Sequence, residues 1–378
     1  MTHRERFDAV MGYKSFDRLP VWYDGVWGET AARWQREGVD DWARITELSG
    51  MDPDWEEGMW ECQGMVNFWP ISPHPSEVLE ETDDNRVVRT ALRAVIKHDK
   101  RGGSIFQHIE EALAPTRESW RRFQTYLDPN LPGWCAPWTA DSQPARYSLV
   151  WRKLARELNE RETMVTFMGG SLYGLPRDWM GLENWSLLAY DDPALYEEII
   201  EYLADYFIAL YRPILEQVEF DLAFFFEDCC GSNGPLLPPA LYRKHYDRYY
   251  RKMIDCYRRA GVKYMLLDSD GRIDQLIPFW LDSGFDIVSP VEVGKWRTDP
   301  RRLRAQYGKR LRMMGGIDKH VIPQGEDAIR EHLEPLREVA AEGGYIPLPD
   351  HRIPPSTSFD QFKTYIRVFK EVFDGVGS

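Results

Sequence analysis

The stretch YMLLDSDG, residues 264–271, ends an apolar run in two aspartates one residue apart. Side chains of an extended segment alternate with period two, so Asp268 and Asp270 point the same way. Like charges on one face repel unless a cation or a proton lies between them. The same ending recurs along the chain. DLAFFFED (221–228) closes on Glu227 and Asp228, FDIVSPVEV (285–293) carries Glu292, LRMMGGID (311–318) ends in Asp318, and GYIPLPD (344–350) is followed by His351 and Arg352. One acid after a strand is ordinary, because Asp is a good cap for the next helix. A series of acid-tipped strands that converge needs a counter-charge. A divalent metal is the economical one, with acid–base work by paired carboxyls as the alternative.

Standard motifs do not account for these acids. A calcium loop needs glycine at its sixth position, whereas Gly271 is fourth counting from Asp268, and no Glu closes the loop. There is no HExxH, no GxSxG elbow and no phosphate-binding GxGxxG or GxxxxGK[ST]. His74, His98, His245 and His332 sit in loop or helix patterns. His351 instead follows a strand directly and precedes RIPP, a stiff turn that holds it at the strand end.

The elements that must position these groups follow a rhythm of apolar run, Gly/Asp/Pro break and helical stretch. MVTFMGG (164–170) belongs with the runs above, and RLPVWYD (18–24) supplies the first strand. Between them, Asp192 and Pro193 start a helix that buries Leu195, Ile199, Leu203 and Leu210. A second helix runs from Pro239 to Ala260 and stops at Gly261, and a last one after Ser358 buries Phe362, Ile366 and Phe369. Alternating strands and helices predict a parallel sheet closed into a (β/α)₈ TIM barrel, whose sites lie where strands end, with an open doubly wound sheet as the alternative. Residues 1–378 read as one domain in which about 25–160 carry insertions. VVRTALRAVIKHDKRGGSIFQH (87–108) there reads as a hairpin turning near Gly102–Gly103.

A net charge of −14 and a pI near 5.2 leave no basic field for nucleic acid or an anionic membrane. Cys62, Cys135, Cys229, Cys230 and Cys256 are odd in number and unpatterned, which fits reduced thiols in the cytoplasm. The charged start MTHRERFDAV is not a signal peptide, and no apolar run is long enough for a membrane span. Fifteen Trp and 19 Tyr suit either a large core or a pocket for flat ligands.

Four segments resemble the uroporphyrinogen decarboxylase superfamily, which includes zinc-dependent, corrinoid-linked methyltransferases. They are MTHRERFDAVMGYKSFDRLPV, EDCCGSNGPLLPPALYRKHY, GGIDKHVI and GGYIPLPDHRIPPSTSFDQF, in family order. The resemblance implies a TIM barrel over nearly the whole chain. True decarboxylases carry an Arg-rich segment after the first strand for the substrate carboxylates; here YDGVWGETAARW (23–34) has no arginine before Arg33. The methyltransferase branch holds zinc with a His-x-Cys and a late Cys. Asp268 and Asp270 stand at the first two of those positions and His351 at the third, an oxygen-rich version of a sulfur site.

What the resemblance implies is a methyltransferase that demethylates a small methylated substrate, a methoxyarene or other methyl ether first. The methyl passes to a corrinoid on a separate protein, since no corrinoid-binding DxHxxG occurs. Asp268, Asp270 and His351 are the implied ligands of a divalent metal, zinc first. Glu227 and Asp228 are a fourth ligand or the proton donor, and Glu292 and Asp318 orient their neighbours. Trp22, Tyr23, Trp27 and Arg352 are the expected substrate contacts. A corrinoid protein, and a second copy of the chain in a homodimer, are the expected macromolecular partners. A decarboxylase-like enzyme acting on a small carboxylate, a glycoside-active barrel and a non-catalytic barrel stay open as alternatives.

Overall fold

The computed structural model describes residues 1–377 apart from 40, 54, 56–61, 63–64, 101–104 and 131–146, and only the backbone of residue 43. In the N-terminal part, strands β1 (Glu77–Glu81), β2 (Asn85–Arg89), β3 (Val95–Asp99) and β4 (Gln107–Glu110) form an antiparallel sheet in chain order. The expectation of one hairpin over 87–108 is therefore half the story. Its first turn lies at residues 90–94, where Arg93 takes the left-handed conformation (φ 74°) and Thr90 N–H donates to Ala94 O at 2.8 Å. The expected turn at Gly102–Gly103 falls between β3 and β4, outside the described residues.

The barrel wall is parallel. Strands β5 (Thr166–Gly170) and β6 (Leu222–Phe226) are followed by a short ribbon of β7 (Cys230–Gly231) and β8 (Gly234–Pro235). Then come β9 (Tyr264–Asp268), β10 (Ile287–Val291), β11 (Arg312–Ile317) and β12 (Tyr345–Pro349). The six long strands lie in the order β5–β6–β9–β10–β11–β12, and β5, β10 and β12 are buried at every residue. Burial on both faces is what a parallel sheet under helices requires, and it explains their unbroken apolar runs. The fold is the expected TIM barrel.

Residues 18–24 do not form a ladder strand. Pro20 has no N–H to give, and the Val21 N–H donates to the Asp52 carboxylate at 2.9 Å instead of to a neighbouring strand. The wall continues beyond β12 a little later, where Val26 bridges Ile353 in parallel and Ile353 N–H donates to Gly25 O at 3.0 Å. This join brings the N-terminal segment beside the end of β12.

The helices follow their sequence signals. Asp192 accepts from Leu195 N–H to cap the helix Pro193–Leu215, which buries the four predicted side chains. The helix Pro239–Arg259 ends before Gly261, whose φ of 93° suits glycine. Ser358 and Gln361 form a capping box for Phe359–Val372. Among the described residues Cys229, Cys230 and Cys256 are free thiols and Cys62 is buried, and Cys135 lies outside them. No described helix is long and apolar enough to cross a membrane.

Candidate active site at the barrel mouth

The ends of β6, β9 and β12 and the N-terminal segment enclose a cavity of about 910 Å³. Tyr23, Trp27, Phe68, Trp69, Phe106 and Phe226 give it an aromatic wall. Asp24, Asp178, Asp228, Asp268 and Asp270, with His351 and Arg352, give it a charged floor and rim.

Backbone geometry sets the floor. Asp268 ends β9 level with Phe226 and Ser289, and its carbonyl accepts the N–H groups of Glu227 and Asp228 at 3.0 and 3.1 Å. Two residues on, the Asp270 N–H donates to Asp228 Oδ1 at 3.1 Å. The chain then turns at Gly271, with φ 86°, where a Cβ would come within 2.8 Å of Gly231 O. Only glycine fits there. Its N–H donates to Glu292 Oε2 at 2.6 Å.

Across the mouth, His351 Nε2 meets Asp270 Oδ2 at 3.1 Å. Burial resists charging the imidazole, but the Asp270 hydrogen bond and charge, helped by Asp24, overcome it. The His351 pKa is raised. Its ring lies 5.3 Å from that of Trp27 at 31°, and the Arg352 guanidinium sits over the same indole at 5.4 Å.

Asp228 is the strained member, with φ 45° in a residue that has a Cβ. Arg177 holds it there, donating from Nη1 to Asp228 O at 2.5 Å and from Nη2 to Oδ2 at 3.3 Å. Burial, then repulsion from Asp270, pushes the Asp228 pKa up against the pull of Arg177. Nothing in the local sequence marks Arg177; it reads as an exposed helical arginine. Asp24 was within reach of the strand-end rule, because it closes RLPVWYD.

Other expected site residues sit elsewhere. Glu227 is fully buried behind the wall and accepts the N–H groups of Leu172, Tyr173 and Gly174 at 2.9, 2.6 and 3.1 Å. Burial outweighs these donors and lifts its pKa to about 7. Glu292 and Asp350 share Lys319, at 3.5 and 3.3 Å, beneath the floor. Burial and the charge of Asp270 raise the Glu292 pKa. Asp318 caps its own turn, accepting the His320 N–H at 2.9 Å. Trp22 is core: it is 1% exposed, donates to Pro53 O at 2.9 Å and packs on Phe7.

Asp268, Asp270 and His351 do share the cavity, as the implied metal site requires. As arranged they do not fit a metal ion. His351 Nε2 is engaged by Asp270, and no three His, Cys, Asp or Glu among the described residues are grouped to hold one.

A parallel barrel with a charged, aromatic mouth at the strand ends defines an enzyme-type scaffold. Residues 147–372 match the family model "Uroporphyrinogen decarboxylase (URO-D)", and the chain belongs to that family. It is similar to the uroporphyrinogen decarboxylase of Hydrogenovibrio crunogenus, 26% identical over 49% of this chain and 51% of that one. The enzyme of Nostoc punctiforme is 22% identical over 60% and 64%. The chain thus spans about half to under two thirds of the curated relatives it matches. Among solved structures, a methyltransferase from Methanosarcina mazei has the same fold, with a TM-score of 0.56 and 14% identity over 98% of this chain and 99% of that one.

Proposed function

We propose that the chain is a methyltransferase that demethylates a small methyl ether, a methoxyarene first, bound in the mouth. The observation that carries this reading is the His351–Asp270 pair, a proton held at the floor of an aromatic-walled cavity. Against Trp27 and Phe226 an aryl ring is desolvated and oriented, which removes water from the reacting carbon. A reduced corrinoid on a partner protein supplies the nucleophile that takes the methyl group. As the methyl–oxygen bond breaks, its electron pair stays on oxygen. The His351 imidazolium, its Nε2–H tied to Asp270, gives its Nδ1 proton to that oxygen, and the product is a neutral phenol. Asp270 keeps the imidazole charged until the transfer and orients it. No step runs through a metal ion.

A polycarboxylate substrate suits this mouth poorly, because its lining is acidic and the arginine-rich entry segment is missing. The test incubates the protein with 4-methoxyphenyl substrates and Co(I) cobalamin, following the cobalamin spectrum and phenol release. Both signals are expected, and both should fall at least about tenfold in His351→Gln. Absence of phenol across the panel refutes the reading.

A further inference from the structure

The mouth is much larger than one aromatic ring needs. A cavity of about 150 Å³ suffices to hold benzene, and the space here is about 910 Å³, within the range of drug-sized ligands. Its aromatic lining includes two groups from different parts of the chain. Trp27 stands near the floor with the His351 ring at 5.3 Å, and the bridge of Val26 to Ile353 ties it to the end of β12. Trp69 and Phe106 stand at the rim and come from the inserted region. The segment after β4 leans on the helix Gly174–Met180 that follows β5, where Leu113 N–H donates to Trp179 O at 2.8 Å. Trp27 and Phe106 thus hang on opposite ends of the order β5–β6–β9–β10–β11–β12. Both rim rings are preset: Trp69 packs on the buried Phe68 at 4.8 Å, and Phe106 on His98 at 4.0 Å. They line the cavity while 36% and 42% exposed, so apolar area stays wet there until a ligand covers it.

We infer that the substrate is a methoxyarene with two aromatic rings on a short linker. Its methoxyl ring lies on Trp27 beside His351, and its second ring covers Trp69 and Phe106. This rests on the proposed function and narrows it. A one-ring ether reaches one group and leaves the other wet, whereas a second ring adds the desolvation and dispersion of the rim. An aromatic second ring also makes the offset or edge-to-face contacts that a saturated ring of similar volume lacks. The mouth then selects for length and ring type, with the reacting end fixed at the floor.

Isothermal titration of the whole protein with three neutral ligands separates the cases: 4-methoxyphenol, 4-(4-methoxybenzyl)phenol and 4-(4-methoxybenzyl)cyclohexanol. The two-ring phenol should bind at least about tenfold more tightly than 4-methoxyphenol, with the cyclohexanol between them. Trp69→Leu and Phe106→Leu, both at exposed rings, should each weaken the two-ring phenol at least about threefold and leave 4-methoxyphenol unchanged. Trp27→Leu should weaken all three alike. Equal affinity for the one-ring and two-ring phenols overturns the inference and leaves the spare volume to the corrinoid of the partner protein. Weaker 4-methoxyphenol binding in the two rim variants overturns it as well, and so does failure of all three ligands to bind. The same samples with Co(I) cobalamin keep the two ideas apart. Tight two-ring binding without demethylation leaves the two-ring selectivity standing and removes the methyltransferase reading. Demethylation of both phenols at equal affinity does the reverse.

Discussion

Replacing Asp270 by Asn tests the central pair with little change of shape. In the wild type the carboxylate lies 3.1 Å from His351 Nε2. Two unit charges about 4 Å apart attract by about 4 kcal/mol at an effective dielectric of 20. The Asp270 side chain is 38% exposed, so water screens the pair, and about 1 kcal/mol is a sounder figure. With the carboxylate gone, burial is left to act, and it opposes the charged ring. The imidazolium population above its midpoint should therefore fall. The His351 pKa is raised in the folded chain, so the stability it lends is complete below the unfolded value and lost as pH rises through the folded one. Asp270→Asn should therefore cost up to about 1 kcal/mol at pH 6 and progressively less above neutrality, read by urea unfolding. Proton NMR of the His351 ring gives the midpoint directly, and the acid limb of methyl transfer should move with it. An imidazole that titrates at the wild-type midpoint in Asp270→Asn would falsify the pairing argument.

Further outcomes follow from the same geometry. Arg177→Met leaves the left-handed Asp228 without its clamp and should cost about 3 kcal/mol in urea unfolding, with a drop in activity larger than the change in ligand affinity. Glu227 titrates near 7 when folded, against an ordinary 4.5, so charging it should cost the wild type about 3 kcal/mol between those pH values. Glu227→Gln should flatten that slope, and equal slopes in the two proteins would show that burial does not control this carboxyl. Trp22→Leu should lower stability by about 2 to 4 kcal/mol and leave ligand affinity at wild type, because the ring is core and outside the mouth. Elemental analysis after zinc loading should find well under one equivalent, and stoichiometric zinc lost in His351→Ala would show that the Asp270–His351 pair opens to take it.

Much of this architecture is written locally. Period and break signals gave the parallel strands, the Asp192 cap and the Gly261 stop, because apolar periodicity and capping act over a few residues. The convergence of Asp228, Asp268, Asp270 and His351 was legible too, since a barrel sends every strand end to one rim. What each acid does was not. Glu227 and Asp228 are neighbours with identical local signals, yet one is sealed on three backbone amides and the other lines the cavity. Trp22 and Trp27 both belong to the entry segment, and only packing sends the first into the core. The His351–Asp270 contact joins residues far apart in sequence, as does the Arg177 clamp on Asp228. Residue type and spacing determined which groups reach the rim. Tertiary structure decided their partners, because desolvation and charge depend on neighbours that the chain brings together only when the barrel closes.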